Sequence, residues 1–283
     1  MPAVTEDAFV TRDGLHLPLR HWDASNPIAV IVALHGMSDY SNAFDMPATW
    51  WAAKGITTLA YDQRSFGRSP QPGIWPGADA LRRDLGDCVE AVREKYPRLP
   101  VYVLGESMGG AVVLSALASG HRPRADGVIL VAPAVWSRSD MPLSYRAALW
   151  LTAHTMPWLM LSGKGLKIWP SDNIEMLKKL ARDPLFQHQT RADAIYGLAD
   201  LMDQARRAPE KLQPDAPPIL FLYGANDQII PKEPTEAVIA SLGGRAKVMR
   251  YPHGYHMLLR DLDGKTVWTD VLDWIASRRS TPD

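Results

Sequence analysis

The chain has 283 residues, 46% of them hydrophobic and 22% charged, a balance that lets a globular protein bury a large core, and α/β chains of this length often form one domain. Lysine plus arginine and aspartate plus glutamate stand at 31 each, so no net field draws the protein to nucleic acid or to anionic lipid. The single cysteine, Cys88, excludes an intrachain disulfide, and no apolar run reaches the roughly 20 residues of a membrane span.

In chain order, the opening residues Met1 to Asp7 lack the basic and apolar regions of a secretory signal, so a reducing, cytoplasmic setting is the expectation. Residues 8–23 read as two short strands around Arg12-Asp13-Gly14, a hairpin at a sheet edge. Ile28 to Leu34 and Ile56 to Tyr61 are apolar runs expected as strands buried on both faces, with a helix between them near Phe44 to Ala53. A helix over 79–96 follows, stopped by Pro97, and Cys88 lies on its apolar stripe with Leu81, Leu85 and Val92. Val101 to Leu104 begins the next strand, a small-residue helical pattern runs from Ala111 to Ala118 and its helix to about Gly120, and Val128 to Ala132 is a further strand. Strands alternating with helices predict a mostly parallel sheet with helices on both faces, and ligands then bind at the strands' carboxyl ends.

From 134 to 214 the strand pattern lapses and helical patterns take over: Tyr145 to Leu161 with an interruption at Pro157, Ile174 to Leu180, and Ala192 to Arg206. After Pro217-Pro218 the α/β pattern resumes with a strand at 219–223, a helix at 234–242, a strand at 246–251 and a last helix over 265–278. The expected organisation is therefore an α/β core of residues 1–133 and 215–283 with a helical cap, 134–214, folded over the strand ends.

Chemistry concentrates at four of those strand ends. Gly105-Glu106-Ser107-Met108-Gly109 sits between a strand and a helix, the setting in which a serine is perched on a sharp turn with its hydroxyl exposed as a nucleophile. Asp227 follows the strand 219–223 and can orient a histidine, although Gly224-Ala225-Asn226-Asp227 is also ordinary turn chemistry. Two histidines, His253 and His256, compete for the role of base; His256 is preferred because it precedes an apolar stretch that anchors its loop, and His253 beside Pro252 suits a turn. An oxyanion hole needs two fixed backbone N–H groups. Met108, after the serine, and Met37, in the loop after the strand 28–34, are the candidates, with His35 read as a buried structural hydrogen-bonder. The order serine, aspartate, histidine is that of α/β-hydrolases.

His35-Gly36-Met37, Tyr61-Asp62-Gln63-Arg64-Ser65-Phe66-Gly67-Arg68-Ser69, Gly105-Glu106-Ser107-Met108-Gly109-Gly110, Tyr223-Gly224-Ala225-Asn226-Asp227 and Gly254-Tyr255-His256 together resemble the monoacylglycerol lipase and lysophospholipase branch of the α/β-hydrolase superfamily, over roughly residues 8 to 278. The resemblance implies a Ser107, Asp227, His256 triad, a helical cap over an acyl-binding tunnel, and hydrolysis of monoacylglycerols or similar single-chain esters without a cofactor or metal. Lysophospholipids and short soluble esters are the nearest alternatives, and a binding module that keeps the fold without catalysis is the alternative of another class. Members often carry histidine where this chain has Glu106, and many carry glycine where it has Ser65. Within the cap, Trp136, Trp150, Met156, Trp158 and Met160 are candidate substrate contacts, since methionines adapt to chain shape and tryptophans suit a lipid interface. Lys164 and Lys167 lie where they could meet headgroups, so transient membrane contact through the cap is a further expectation, with core packing the plainer role for most of these residues.

Overall fold

A computed structural model describes residues 1–163, 165 and 167–279; Lys164 therefore lies outside the described residues. In chain order the strands are β1 (Ala3–Val4), β2 (Ala8–Val10), β3 (His16–Trp22), β4 (Ala29–Leu34), β5 (Ile56–Tyr61), β6 (Val101–Glu106) and β7 (Gly127–Val131). Two short strands, β8 (Met160–Leu161) and β9 (Thr190–Arg191), then pair only with each other, and β10 (Ile219–Gly224) and β11 (Ala246–Tyr251) return to the main sheet. That nine-stranded sheet runs β1-β2-β3-β5-β4-β6-β7-β10-β11. Its first strands meet antiparallel up to the β3–β5 pair, and every pair from β5 to β11 is parallel.

The period-two alternation of a strand explains how one sheet serves two cores. On β4, Val30, Val32 and Leu34 face one cluster while Ala29, Ile31 and Ala33 face the other, and all six are fully buried. The first core is covered by α2 (Ala78–Lys95), α3 (Met108–Leu117) and, later in the chain, Leu201 and Ala205 of the helix Ala192–Arg207; Cys88 is buried in it. The second is covered by α1 (Asp45–Ala52), through Ala48 and Trp51, and by the last helix, Gly264–Arg279, through Val271, Trp274 and Ile275. Continuous apolar strands flanked by amphipathic helices are what the alternation of patterns predicted.

Between β7 and β10 lie α4 (Leu143–Thr155), α5 (Ile174–Leu180) and α6 (Ala192–Arg207). Here the sequence expectation needs two corrections. The pattern read as Tyr145 to Leu161, interrupted at Pro157, is helical only up to Thr155, because Pro157 has no N–H to donate and pushes Met156 out of helical conformation, to φ −137°. Met160 and Leu161, expected as helix, are strand, so the segment is not free of strands. α6 packs on α3, and the loops around α5 bond to the carboxyl ends of the core strands: Gln187 donates through its backbone to Ser38 and through its side chain to Ser65, and Met257 donates to Pro170. No helix among the described residues is long and apolar enough to cross a membrane.

A tight backbone joint lies between α3 and β4. A Cβ built on Gly109 would stand 2.2 Å from the Leu34 carbonyl oxygen, which is backbone and cannot swing aside. Gly109→Ala is expected to cost at least about 1–3 kcal/mol by overpacking, whereas Gly120→Ala, with nothing within 4 Å of the added carbon, should stay within about 0.5 kcal/mol. Urea unfolding of the two variants compares them directly; equal losses would contradict the packing assigned to this joint.

Candidate active site

Ser107 stands between β6 and α3 with φ 53° and ψ −116°, outside the regions that L-residues ordinarily adopt. Strain of this sort persists only where the surroundings over-determine it. Its N–H donates to the Val131 carbonyl at 3.0 Å, and its own carbonyl accepts from Ala134 at 2.9 Å and Ala111 at 3.1 Å. Strand β7 and helix α3 thus hold the turn from both sides and leave the side chain to point away from the sheet.

The histidine comes from the loop after β11 and the aspartate from the loop after β10. These loops touch because Gly224 has no side chain: a Cβ there would lie 2.5 Å from the carbonyl oxygens of both Gly254 and Tyr255. Asn226 donates to Gly254 at 2.9 Å and Ala225 to Tyr251 at 2.9 Å, which locks the two loops in register. Asp261 then pins the histidine loop, accepting from the Tyr255 N–H at 2.7 Å and the Ser171 hydroxyl at 2.6 Å.

The outcome is a linear relay. His256 Nδ1 lies 2.8 Å from Asp227 Oδ2, and His256 Nε2 lies 2.9 Å from Ser107 Oγ. A carboxylate can only accept, so Nδ1 carries the proton and the Nε2 lone pair faces the serine hydroxyl. Asp227 is kept in place by its other oxygen, which accepts from the N–H groups of Ile229 at 2.8 Å and Ile230 at 3.0 Å. The Asp227 and His256 side chains are 0% and 6% exposed, so water competes little for either bond. His253, the rejected histidine, sits in the turn after β11, exposed.

Met108 is the first residue of α3, where a backbone N–H has no partner within its own helix. Met37 follows Gly36, whose backbone lies against the serine: a Cβ on Gly36 would be 3.2 Å from Ser107 Cβ. His35 fixes this loop from below. Its Nδ1 donates to the Gly36 carbonyl at 2.8 Å, its Nε2 accepts from the Gln63 N–H at 2.9 Å, and the Gln63 side chain donates to the His35 carbonyl at 2.8 Å. Both ring nitrogens are committed in the neutral form, as a structural hydrogen-bonder requires.

Trp136 packs half-buried against the first core, while Trp150, Met156, Trp158 and Met160 are exposed, Trp150 stacked on His154 at 4.6 Å. Beside Ser38 a cavity of about 620 Å³ opens, with Leu161, Pro170, Phe186, Gln187 and His188 among its walls; that size is within the usual range for small-molecule sites. Ser65, read against the glycine common at its position, keeps a left-handed φ of 72°, and its carbonyl is anchored by Gly73 and by the Gln187 side chain. Sequence reasoning missed a buried cluster next to the relay, in which Arg260 meets Asp39 at 2.7 Å and Glu106 at 3.1 Å.

Burial lowers the His35 imidazole below its ordinary value of 6.5. The native state then binds fewer protons than the unfolded chain as the solution is acidified, so stability tied to the neutral ring is fully present above about pH 6.5 and lost as pH falls. The stability gap between the wild type and His35→Asn should be widest near neutrality and narrow on acidification by at most about 1.4 kcal/mol per pH unit. Urea unfolding across that range measures it, and a gap that widens toward acid contradicts the role given to His35.

A sequence profile of the serine aminopeptidase S33 hydrolases matches residues 25–263. Among characterised proteins, the monoglyceride lipase of Rattus norvegicus is 26% identical over 95% of this chain and 90% of its own. The monoacylglycerol lipase of Mycolicibacterium smegmatis is 25% identical over 96% of this chain and 97% of its own. The crystal structure of a soluble variant of Saccharomyces cerevisiae monoglyceride lipase, in complex with a substrate analog, superposes with a TM-score of 0.81 at 18% identity, covering 99% of both chains. With that profile spanning most of the chain and a mostly parallel sheet flanked by helices beneath it, this chain is an α/β-hydrolase and belongs to the serine aminopeptidase S33 family.

Proposed function

We propose that the protein is a serine ester hydrolase acting on monoacylglycerols or similar single-chain lipid esters, with Ser107 as nucleophile, His256 as base and Asp227 as its orienting carboxylate. The observation that carries this reading is the continuous hydrogen-bonded line from Asp227 through His256 to Ser107. In the proposed reaction His256 Nε2 takes the hydroxyl proton as Ser107 Oγ bonds to the ester carbonyl carbon. The N–H groups of Met37 and Met108 receive the oxyanion, each such donor typically worth about 100- to 1,000-fold in turnover. His256 then protonates the departing alcohol, leaving an acyl-serine, and activates the water that releases the acid. Asp227 holds the imidazole tautomer and supports its transient charge.

The ester preference is supported by the lipases to which the chain is similar along nearly its whole length. The segment 134–214 serves, in this reading, as a cap, supported by its bonds to Ser38 and Ser65 at the strand ends. Leu161 and Phe186, which help to wall the cavity beside Ser38, suit the acyl chain. A panel of monoacylglycerols, lysophospholipids, p-nitrophenyl esters and aminoacyl amides tests substrate class. Monoacylglycerols are expected to lead it, and preference for the amides would overturn the ester reading. Ser107→Ala should lose hydrolysis and fluorophosphonate labelling together; labelling at wild-type stoichiometry would remove Ser107 from its role.

The exposed apolar side chains favour a lipid-surface role as well. Trp150, Leu151, Trp158 and Met160 are each at least 46% exposed, and this arrangement suits shallow contact with a membrane better than lining a closed tunnel. Replacing Trp150 and Trp158 by alanine should weaken co-sedimentation with phosphatidylcholine vesicles while leaving hydrolysis of a soluble ester within about twofold. Unchanged co-sedimentation contradicts the surface role.

A further inference from the structure

One buried guanidinium joins the three loops that make the proposed site. Glu106 immediately precedes Ser107, Asp39 lies two residues beyond Met37, and Arg260 ends the short turn Leu258–Arg260, four residues after His256. Arg260 Nη1 is 2.7 Å from Asp39 Oδ2 and its Nη2 is 3.1 Å from Glu106 Oε2, with side-chain exposures of 6%, 4% and 3% for the arginine, aspartate and glutamate. Arg260 Nη2 donates a hydrogen bond to Glu106, whereas the contact with Asp39 is an ion pair: Asp39 Oδ2, Glu106 Oε1 and Arg260 Nε make no hydrogen bond. Burial works against the Arg260 charge, but the two carboxylates outweigh it and hold the guanidinium above its ordinary range. Burial also pushes the Glu106 carboxyl up, against the pull of Arg260.

Such a cluster is a poor way to gain stability. Desolvating each ion costs several kcal/mol, and well-packed apolar groups of similar volume are often as stabilising or more so. A guanidinium that hydrogen-bonds Glu106, however, fixes direction as well as distance on that side, which an apolar contact does not, and its charge holds Asp39 at ion-pair distance. The loop carrying the base, the turn carrying the nucleophile and the loop carrying an oxyanion donor come from separate strands, and here all three are tied to one rigid group.

We propose that Arg260 is a positioning residue that, through Glu106 and Asp39, holds the histidine loop, the nucleophile turn and the Met37 loop in reactive register. This rests on the serine hydrolase reading above. A displacement of about 1 Å at such a site can cost on the order of 100-fold in rate, so the effect belongs in turnover per site rather than in substrate affinity.

The test uses the full-length protein with a soluble p-nitrophenyl ester, and sites are counted by fluorophosphonate labelling taken to completion. The variant Arg260→Met with Asp39→Asn and Glu106→Gln removes the ions together and leaves no uncompensated buried charge. Its kcat per labelled site is expected to fall about 10- to 100-fold, with KM within about threefold and slower labelling. Arg260→Lys keeps the charge and loses the fork, and serves if the triple variant does not fold; it should lose about 10-fold in kcat per site. Per-site kcat within about twofold of wild type, in either folded variant, overturns the proposal and reduces the cluster to a structural one. Ser107→Ala run alongside separates the two ideas: turnover in that variant defeats the underlying hydrolase assignment, whatever Arg260 does.

Discussion

The Leu34 carbonyl oxygen and the Cα of Gly109 meet at a distance that leaves no room for a methyl group, and the site depends on that contact. Because α3 can press this closely on β4, the chain must turn sharply after β6, and the residue at the turn takes a φ of 53° that no ordinary strand or helix residue has. The strain is local, but the hydrogen bonds that resist it come from β7 and α3, both fully buried. The core therefore supplies the energy that keeps Ser107 aimed outward. A looser core would let the turn relax and the hydroxyl swing.

A second backbone contact of the same kind brings the partners together. Gly224 lets the end of β10 lie against Gly254 and Tyr255, and the hydrogen bonds of Ala225 and Asn226 set the register between the Asp227 and His256 loops. Side chains complete what the backbone begins. His35 anchors the loop before Met37, Asp261 pins the loop before His256, and Arg260 reaches across to Asp39 and Glu106. Each residue proposed to take part in the reaction is thus held by a neighbour whose own bonds are made within the protein. This is how a serine and a histidine far apart in sequence are kept 2.9 Å apart.

Much of this is legible in the sequence. Apolar runs such as Val30 to Leu34 have only one comfortable place, a strand buried on both faces, and the glycines around Ser107 pointed to a sharp strand-to-helix turn. The apolar residues after His256 favour it over His253, and Leu258 and Leu259 are buried. The segment 134–214 is less legible. Pro157 marks the break in the helix, but periodicity cannot say that the chain beyond it pairs with residues 190–191 as strand, because two-residue strands carry no pattern. The Arg260 cluster was invisible for another reason: its members are 67 and 154 positions apart in sequence, and only the fold makes neighbours of them. Glu106 stood out as a departure from the family's usual histidine, yet nothing local named its partner.

The account stands or falls on an acyl group passing through Ser107. Rapid quenching during turnover of a slowly hydrolysed monoacylglycerol, followed by intact-mass and peptide mass spectrometry, measures this directly. The protein should gain the mass of one acyl chain, on the peptide containing Gly105 to Gly110 and on Ser107 within it, and lose it as product accumulates. Acylation at another residue, or turnover with no acyl-enzyme under conditions where its hydrolysis is limiting, would contradict the mechanism.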